Sequence, residues 1–259
     1  MEGYIYMNIK NFKAGQIEGD KLVAIFDKQK ALMEKYHHIE SASGLCQTED
    51  CPVNLHDRKG QARLKDFSWR VTEEIAEAME ALPQMSDITN NLWSVISNSV
   101  DYTSEEVKEA VDKYNQEADD INLHFQEELV DALHFLTEKT ILEGITPQDI
   151  HSNLCGELKE GEDILDNLFK LATYQDIPSL NDAYADFITA LGLTNNCLKN
   201  KPWKQSMMKT DVKKYNSLAI AAWYRFIVLL ASAGLDSQLT ADLYLRKNQV
   251  NAFRQRSNY

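Results

Sequence analysis

The chain has 259 residues, enough to bury a full core as one large domain or two small ones. With 27 Lys and Arg against 40 Asp and Glu, its formal net charge is −13, which argues against a nonspecific nucleic-acid or membrane-surface binder. Only 10 Gly and 5 Pro interrupt long Leu/Ala/Glu/Lys stretches, so the expected fold class is all-α.

The stretch Met1 to Asp20 is polar and mixed, unlike a signal peptide. Apolar spacing of Leu22, Ile25, Phe26, Leu32 and Met33 predicts a first helix over Lys21 to Tyr36. Ser41 to Lys65 reads as a long loop, and Phe67 to Leu82 as a helix closed by Pro83. Gln84 to Tyr102 carries no clear pattern. Thr103-Ser104-Glu105-Glu106 marks the start of a long helix that runs through Asp131 to Glu143 and stops at Gly144. Further helices are expected near 147–154, 159–174, 178–192, 211–233 and 238–256. Without strand-like alternation or a long linker, residues 1–259 read as a single domain. The most apolar stretch, Leu218 to Leu235, holds Arg225 in its middle and reads as a buried helix rather than a membrane span. Cys46, Cys51, Cys155 and Cys197 lack the spacing of a disulfide framework or metal knuckle, so free thiols in a reducing cytosol are expected.

Two acidic motifs stand out: Glu73-Glu74-Ile75-Ala76-Glu77 and Glu127-Glu128-Leu129-Val130-Asp131. Glu74 and Glu77, like Glu128 and Asp131, sit at i and i+3, about 60° apart around a helix. Val71, Ile75, Ala78 and Leu82 form an apolar stripe beside the first pair, and Phe125, Leu129, Ala132 and Leu136 beside the second. Packing those stripes would place four carboxylates around one small volume. Such acids repel one another, so the arrangement makes sense mainly if hard cations sit between them. The bland alternative is acids that flank core helices and pair with lysines. A different metal chemistry is also written in the residues: Glu34-x-x-His37 and Asp131-x-x-His134 match the spacing of di-iron helical bundles. A non-enzymatic helical interaction protein would leave both acidic motifs unexplained.

On the last helix Lys247, Asn251 and Arg254 fall at i, i+4 and i+7, beside an apolar edge of Leu243, Val250 and Phe253. One face thus offers an ammonium, an amide and a guanidinium, the donors that a polyphosphate and a sugar need.

Glu73-Glu74-x-x-Glu77 followed by Glu128-x-x-Asp131 resembles the signature of the all-α NTP pyrophosphatase superfamily, which includes MazG-type enzymes. Lys247-Asn248-x-x-Asn251-x-x-Arg254-Gln255-x-x-x-Tyr259 is narrower and resembles the terminal motif of dimeric dUTP diphosphatases and the related phage dCTP diphosphatases. Phe26-Asp27-Lys28-Gln29-Lys30-Ala31-Leu32 resembles the family's first helix, where a glutamine reads the pyrimidine edge. Leu129-Val130-Asp131-Ala132-Leu133-His134-Phe135 is close to the family form around the second acidic motif. Residues 155–236 look like the helical insertion of the longer, protozoan-type layout.

The resemblance implies hydrolysis of a pyrimidine dNTP, dUTP first and dCTP second, to the monophosphate and pyrophosphate, with a broader MazG-type specificity as the alternative. It implies Mg²⁺, on the order of two or three ions per site, held by Glu74, Glu77, Glu128 and Asp131. Glu74 is then the residue that orients or deprotonates the attacking water, and Lys247, Asn251, Arg254 and Tyr259 take phosphate and sugar. Gln29 reads the base, in either amide orientation, and Trp203 stacks on it. The implied state is a cytoplasmic homodimer, in a host cytoplasm for a phage-encoded member, with no nucleic-acid or membrane partner.

Overall fold

The protein, in a computed structural model that describes residues 13, 15–44, 46–201 and 203–256, is built from α-helices, with no strand among the described residues. The order is α1 (Lys21–Ser43), α2 (Arg58–Met79), α3 (Ala81–Asn98), α4 (Glu105–Glu143), α5 (Pro147–Leu154), α6 (Ile164–Ala172), α7 (Leu180–Cys197), α8 (Val212–Ser232) and α9 (Ser237–Arg256).

The central element is α4. From Phe125 onward almost every side chain is buried, as expected of a helix packed on all sides. It begins where the sequence predicts: Ser104 caps it by accepting from the Val107 amide, and Gly144 ends it at φ 75°. That left-handed conformation favours glycine, and a Cβ there would also sit 3.2 Å from Pro52. Helix α2 lies along α4, while α1 and α9 pack on each other and on α4. Ile25, Phe26, Ile75, Leu129, Leu133, Leu230 and Tyr244 share one continuous apolar core. Residues of α6, α7 and α8, which the sequence reading treats as an insertion, join the same core, with Phe187 against Phe226 and Trp223 against Phe26.

Several boundaries differ from the sequence reading, among them the start of α6 at Ile164 and the end of α7 at Cys197. Helix α1 continues to Ser43. Helix α2 starts at Arg58, where Asp57 accepts from the amides of Lys59 and Gly60, so the expected loop is about half as long. Gly60 permits this start, because a Cβ there would lie 2.5 Å from the Asn54 carbonyl oxygen. Pro83 does not end a helix but lies in the first turn of α3, where its missing N–H costs nothing. Helix α3 packs on α4, and Ala81 is its only buried residue. Its weakly patterned sequence reflects that lack of burial.

A buried polar cluster ties α4 to α8. Lys139 and the Tyr215 hydroxyl both engage the Glu143 carboxylate, and Trp223 Nε1 donates to Thr140 Oγ1 at 2.7 Å. The four cysteines are free, and no single described helix is long and apolar enough to cross a membrane.

Candidate active site

Packing of α2 against α4 brings the two acidic motifs together. One carboxylate oxygen from each of Glu74, Glu77 and Glu128 lies within 4.8 Å of the others. Glu128 is buried, Glu74 half-buried and Glu77 exposed, so the cluster grades from core to solvent. Burial pushes the Glu74 carboxyl up to about 8, reinforced by the charges of Asp131, Glu128 and Glu77. Mutual repulsion of this kind is what a divalent cation relieves, and an all-oxygen donor set suits Mg²⁺. The residues therefore fit the metal that the sequence implies. His124 Nδ1 lies 3.2 Å from Glu128, one helical turn before it.

Asp131 lines the same cleft but is turned to the C-terminal helix, where Lys247 Nζ is 2.6 Å from its Oδ2. Burial raises the Asp131 carboxyl to about 6, against the opposing pull of Lys247. For Lys247 burial works against the charge, but Asp131, with Glu128 and Glu127, outweighs it and holds the ammonium above its ordinary value.

The cleft has a volume of about 310 Å³, the lower end of what a small ligand needs. Glu74, Asp131, Asn251 and Arg254 line it together with Gln29, Leu32, His134, Phe135 and Glu138. Four helices thus contribute: α1, α2, α4 and α9. On its far wall Arg70 lies over Phe67 and Phe135, held by Glu40 at 3.4 Å and Asp66 at 3.0 Å.

Gln29 is 2% exposed, so it is not a surface amide. Its Nε2 donates to Glu138 Oε2 at 2.9 Å, and its Oε1 accepts from the Tyr244 hydroxyl at 2.7 Å and meets His134 Nδ1 at 2.9 Å. Burial lifts the Glu138 carboxyl to about 7 and, aided by Lys247, drops the His134 imidazole to about 3. His134 is therefore a neutral ring, stacked on Tyr244 with centroids 3.9 Å apart. It serves Gln29 and not the acidic cluster, which removes one ligand from the di-iron pattern; Glu34 is exposed on the other side of α1.

Trp203 is placed elsewhere. It is 77% exposed, in a loop that Arg58 holds through the Lys204 carbonyl and that Asn200 pins to the His56 and Met208 carbonyls. Arg58 precedes Glu74 by about 24 Å of α2. Phe253, expected on the apolar edge of α9, is 47% exposed, whereas Leu243 and Val250 are buried. Tyr259 lies outside the described residues. The sequence reading missed Glu138, Tyr244 and Arg70. Glu138 and Tyr244 carried one usable signal: a charged and a hydroxylated residue on otherwise core-facing helix positions.

Fold and site together define an all-α bundle with an acidic centre faced by a lysine and an arginine. A family model described as dUTPase matches residues 106–259, more than half of the chain, and the chain belongs to that dUTPase family. Its activity is accordingly that of a dUTP diphosphatase. The matched segment spans α4 to α9, so Gln29 on α1 and the Glu74 pair on α2 come to it only through the fold. No match was found among curated proteins or solved structures.

Proposed function

We propose that the protein hydrolyses dUTP to dUMP and pyrophosphate in a Mg²⁺-dependent reaction at the cleft between α1, α2, α4 and α9. The observation that carries this reading is the convergence of Glu74, Glu77 and Glu128 within 4.8 Å, with Glu74 and the Lys247-paired Asp131 lining the same cleft as Gln29. Glu74, Glu77, Glu128 and Asp131 would hold the metal, which when bound neutralises phosphate charge and acidifies the attacking water.

Glu74, ionised once a bound cation offsets the repulsion around it, would accept a proton from that water as its oxygen attacks the α-phosphorus. The bond from the α-phosphorus to the bridging oxygen breaks, and its electron pair leaves on pyrophosphate. Lys247 and Arg254 bind the departing phosphates, and Asn251 the sugar or phosphate. The apolar faces of Leu32 and Phe135 flank the base, with Gln29 at its polar edge. A homodimer belongs to the same proposal: α3 leaves most of its surface uncovered, with Trp93 62% exposed.

The test is a panel of all dNTPs and NTPs with Mg²⁺, reading out pyrophosphate and monophosphate. Cleavage of dUTP that is abolished by chelation is expected. Comparable turnover of purine substrates would instead favour a MazG-type enzyme of broad range. Light scattering checks the dimer.

A further inference from the structure

Asp211 is the only acid between Asp186 and Asp236, whereas six lysines fall from Lys199 to Lys214. In a chain with 40 Asp and Glu, this makes the connection from α7 to α8 a basic island. The fold enlarges it. Arg58, at the start of α2, donates to the Lys204 and Gln205 carbonyls. Lys65 on the same helix lies near Lys201, and burial together with that neighbouring charge lowers the Lys65 ammonium to about 8. Among the described residues, none of Arg58, Lys65, Lys199, Lys201, Lys204 and Lys209 is in an ion pair. The same face is also apolar. Trp203, Met207 and Met208 are exposed, and Lys201 Nζ stands 6.0 Å from the centroid of the Trp203 ring. Trp69, one turn beyond Lys65 on α2, is exposed as well. Beneath these side chains the loop backbone is pinned. Buried Asn200 donates to the His56 and Met208 carbonyls and accepts from the Met208 amide. Gln61 accepts from the Asn200 amide and donates to Thr210. The loop is thus ordered before any ligand arrives, which lowers the cost of binding one.

We propose that this face binds single-stranded nucleic acid, with Lys65, Lys201 and Lys204 on its phosphates and Trp203 stacked on a base. Close cations without acids among them attract a polyanion, and an exposed indole gives an unpaired base a flat partner. An acidic peptide would satisfy the ammonium groups but leave the indole without a ring to stack on. Duplex DNA would keep its bases paired and out of the indole's reach. The net charge of −13 opposes any polyanion, and the partner therefore differs from the one that overall charge suggests. Salt screens charges beyond about 8 Å, so the nearby cations govern at the face itself. Lys65, Lys201, Lys204 and Trp203 are not among the residues that line the catalytic cleft. The inference goes beyond the dUTP reading and stands or falls separately from it.

The experiment titrates the full chain, in EDTA, into end-labelled oligo-dT and oligo-U of about 20 nucleotides and follows anisotropy over a salt series. A DNA duplex and poly-glutamate are the comparison ligands, and a melting curve accompanies every variant. Single strands are expected to bind with a Kd below about 100 µM at low salt, unchanged by excess dUMP, and more tightly than duplex or poly-glutamate. The oligo-dT and oligo-U arms tell DNA from RNA as the source. Lys201→Glu with Lys204→Glu is expected to weaken binding at least about tenfold and to flatten the salt dependence. Trp203→Ala is expected to weaken it at least about fivefold while leaving the salt dependence unchanged. Either variant carries the test if the other does not fold. In all of them kcat/KM for dUTP should stay within about twofold of wild type. No binding at about 100 µM overturns the inference, as does displacement by dUMP, which would assign the strand to the cleft. Equal binding of poly-glutamate or duplex, or folded variants that bind like wild type, overturn it too. None of these results bears on whether dUTP is cleaved, which the nucleotide panel decides.

Discussion

Lys247 Nζ lies 2.6 Å from Asp131 Oδ2, so the last helix meets the central one through an ion pair at the rim of the acidic cluster. The pair is largely buried, with side-chain exposures of 11% and 18%. It holds the acidic and cationic halves of the site in register before any phosphate arrives.

Lys247→Met is expected to lower kcat/KM for dUTP by about two to three orders of magnitude, the scale of losing one charge-stabilising donor. Without Lys247 the Asp131 carboxyl rises further. Steady-state kinetics and a melting curve check this, with Lys247→Arg recovering part of the loss.

Glu128→Gln separates a metal role from a structural one. The substitution relieves repulsion on Glu74, so the metal-free protein is expected to melt at the same or a higher temperature. Turnover is expected to fall by about a hundredfold or more, and stabilisation by Mg²⁺ to shrink. A lower melting temperature with normal turnover would contradict the metal assignment.

The metal-free protein is expected to lose stability as pH rises from about 5 to 8. Burial and like charge raise the carboxyl values in the fold, to about 8 for Glu74, about 6 for Asp131 and about 7 for Glu138. The folded state thus holds more protons than the unfolded one across that window, and the favourable contribution fades as each group ionises. Melting curves in EDTA test the slope. Calorimetry in buffers of different ionisation enthalpy should show proton release when Mg²⁺ binds below pH 8.

Trp203→Ala should leave kcat/KM for dUTP within about twofold, since the exposed indole belongs to a loop held by Arg58, which lies about 24 Å of helix before Glu74. Asn200→Ala, in the same loop, removes buried hydrogen bonds to His56 and Met208 and should destabilise by about 1–3 kcal/mol. Equal and large activity losses from both would place the loop at the nucleotide.

Glu143→Gln should cost about 3–5 kcal/mol, because it leaves Lys139 charged in a site that is 2% exposed. The KM for dUTP should not change. Chemical denaturation alongside kinetics separates this core pair from the catalytic acids.

The sequence by itself determined the helical class, the long α4 with its Ser104 and Gly144 ends, and the identity of the acids and of the C-terminal cations. These are local quantities: periodicity, capping chemistry and i, i+3 spacing along one helix. Helix α3 was not legible because its residues bury almost nothing and so carry no strong pattern. Only the tertiary structure decided which distant groups meet: Glu74 with Glu128, Asp131 with Lys247, and Gln29 with His134, Glu138 and Tyr244. It also decided that Trp203 lies apart from the cleft and that Gln29 is buried against His134, Glu138 and Tyr244. Those outcomes depend on how helices pack, and packing couples residues whose separation along the chain says nothing about their separation in space.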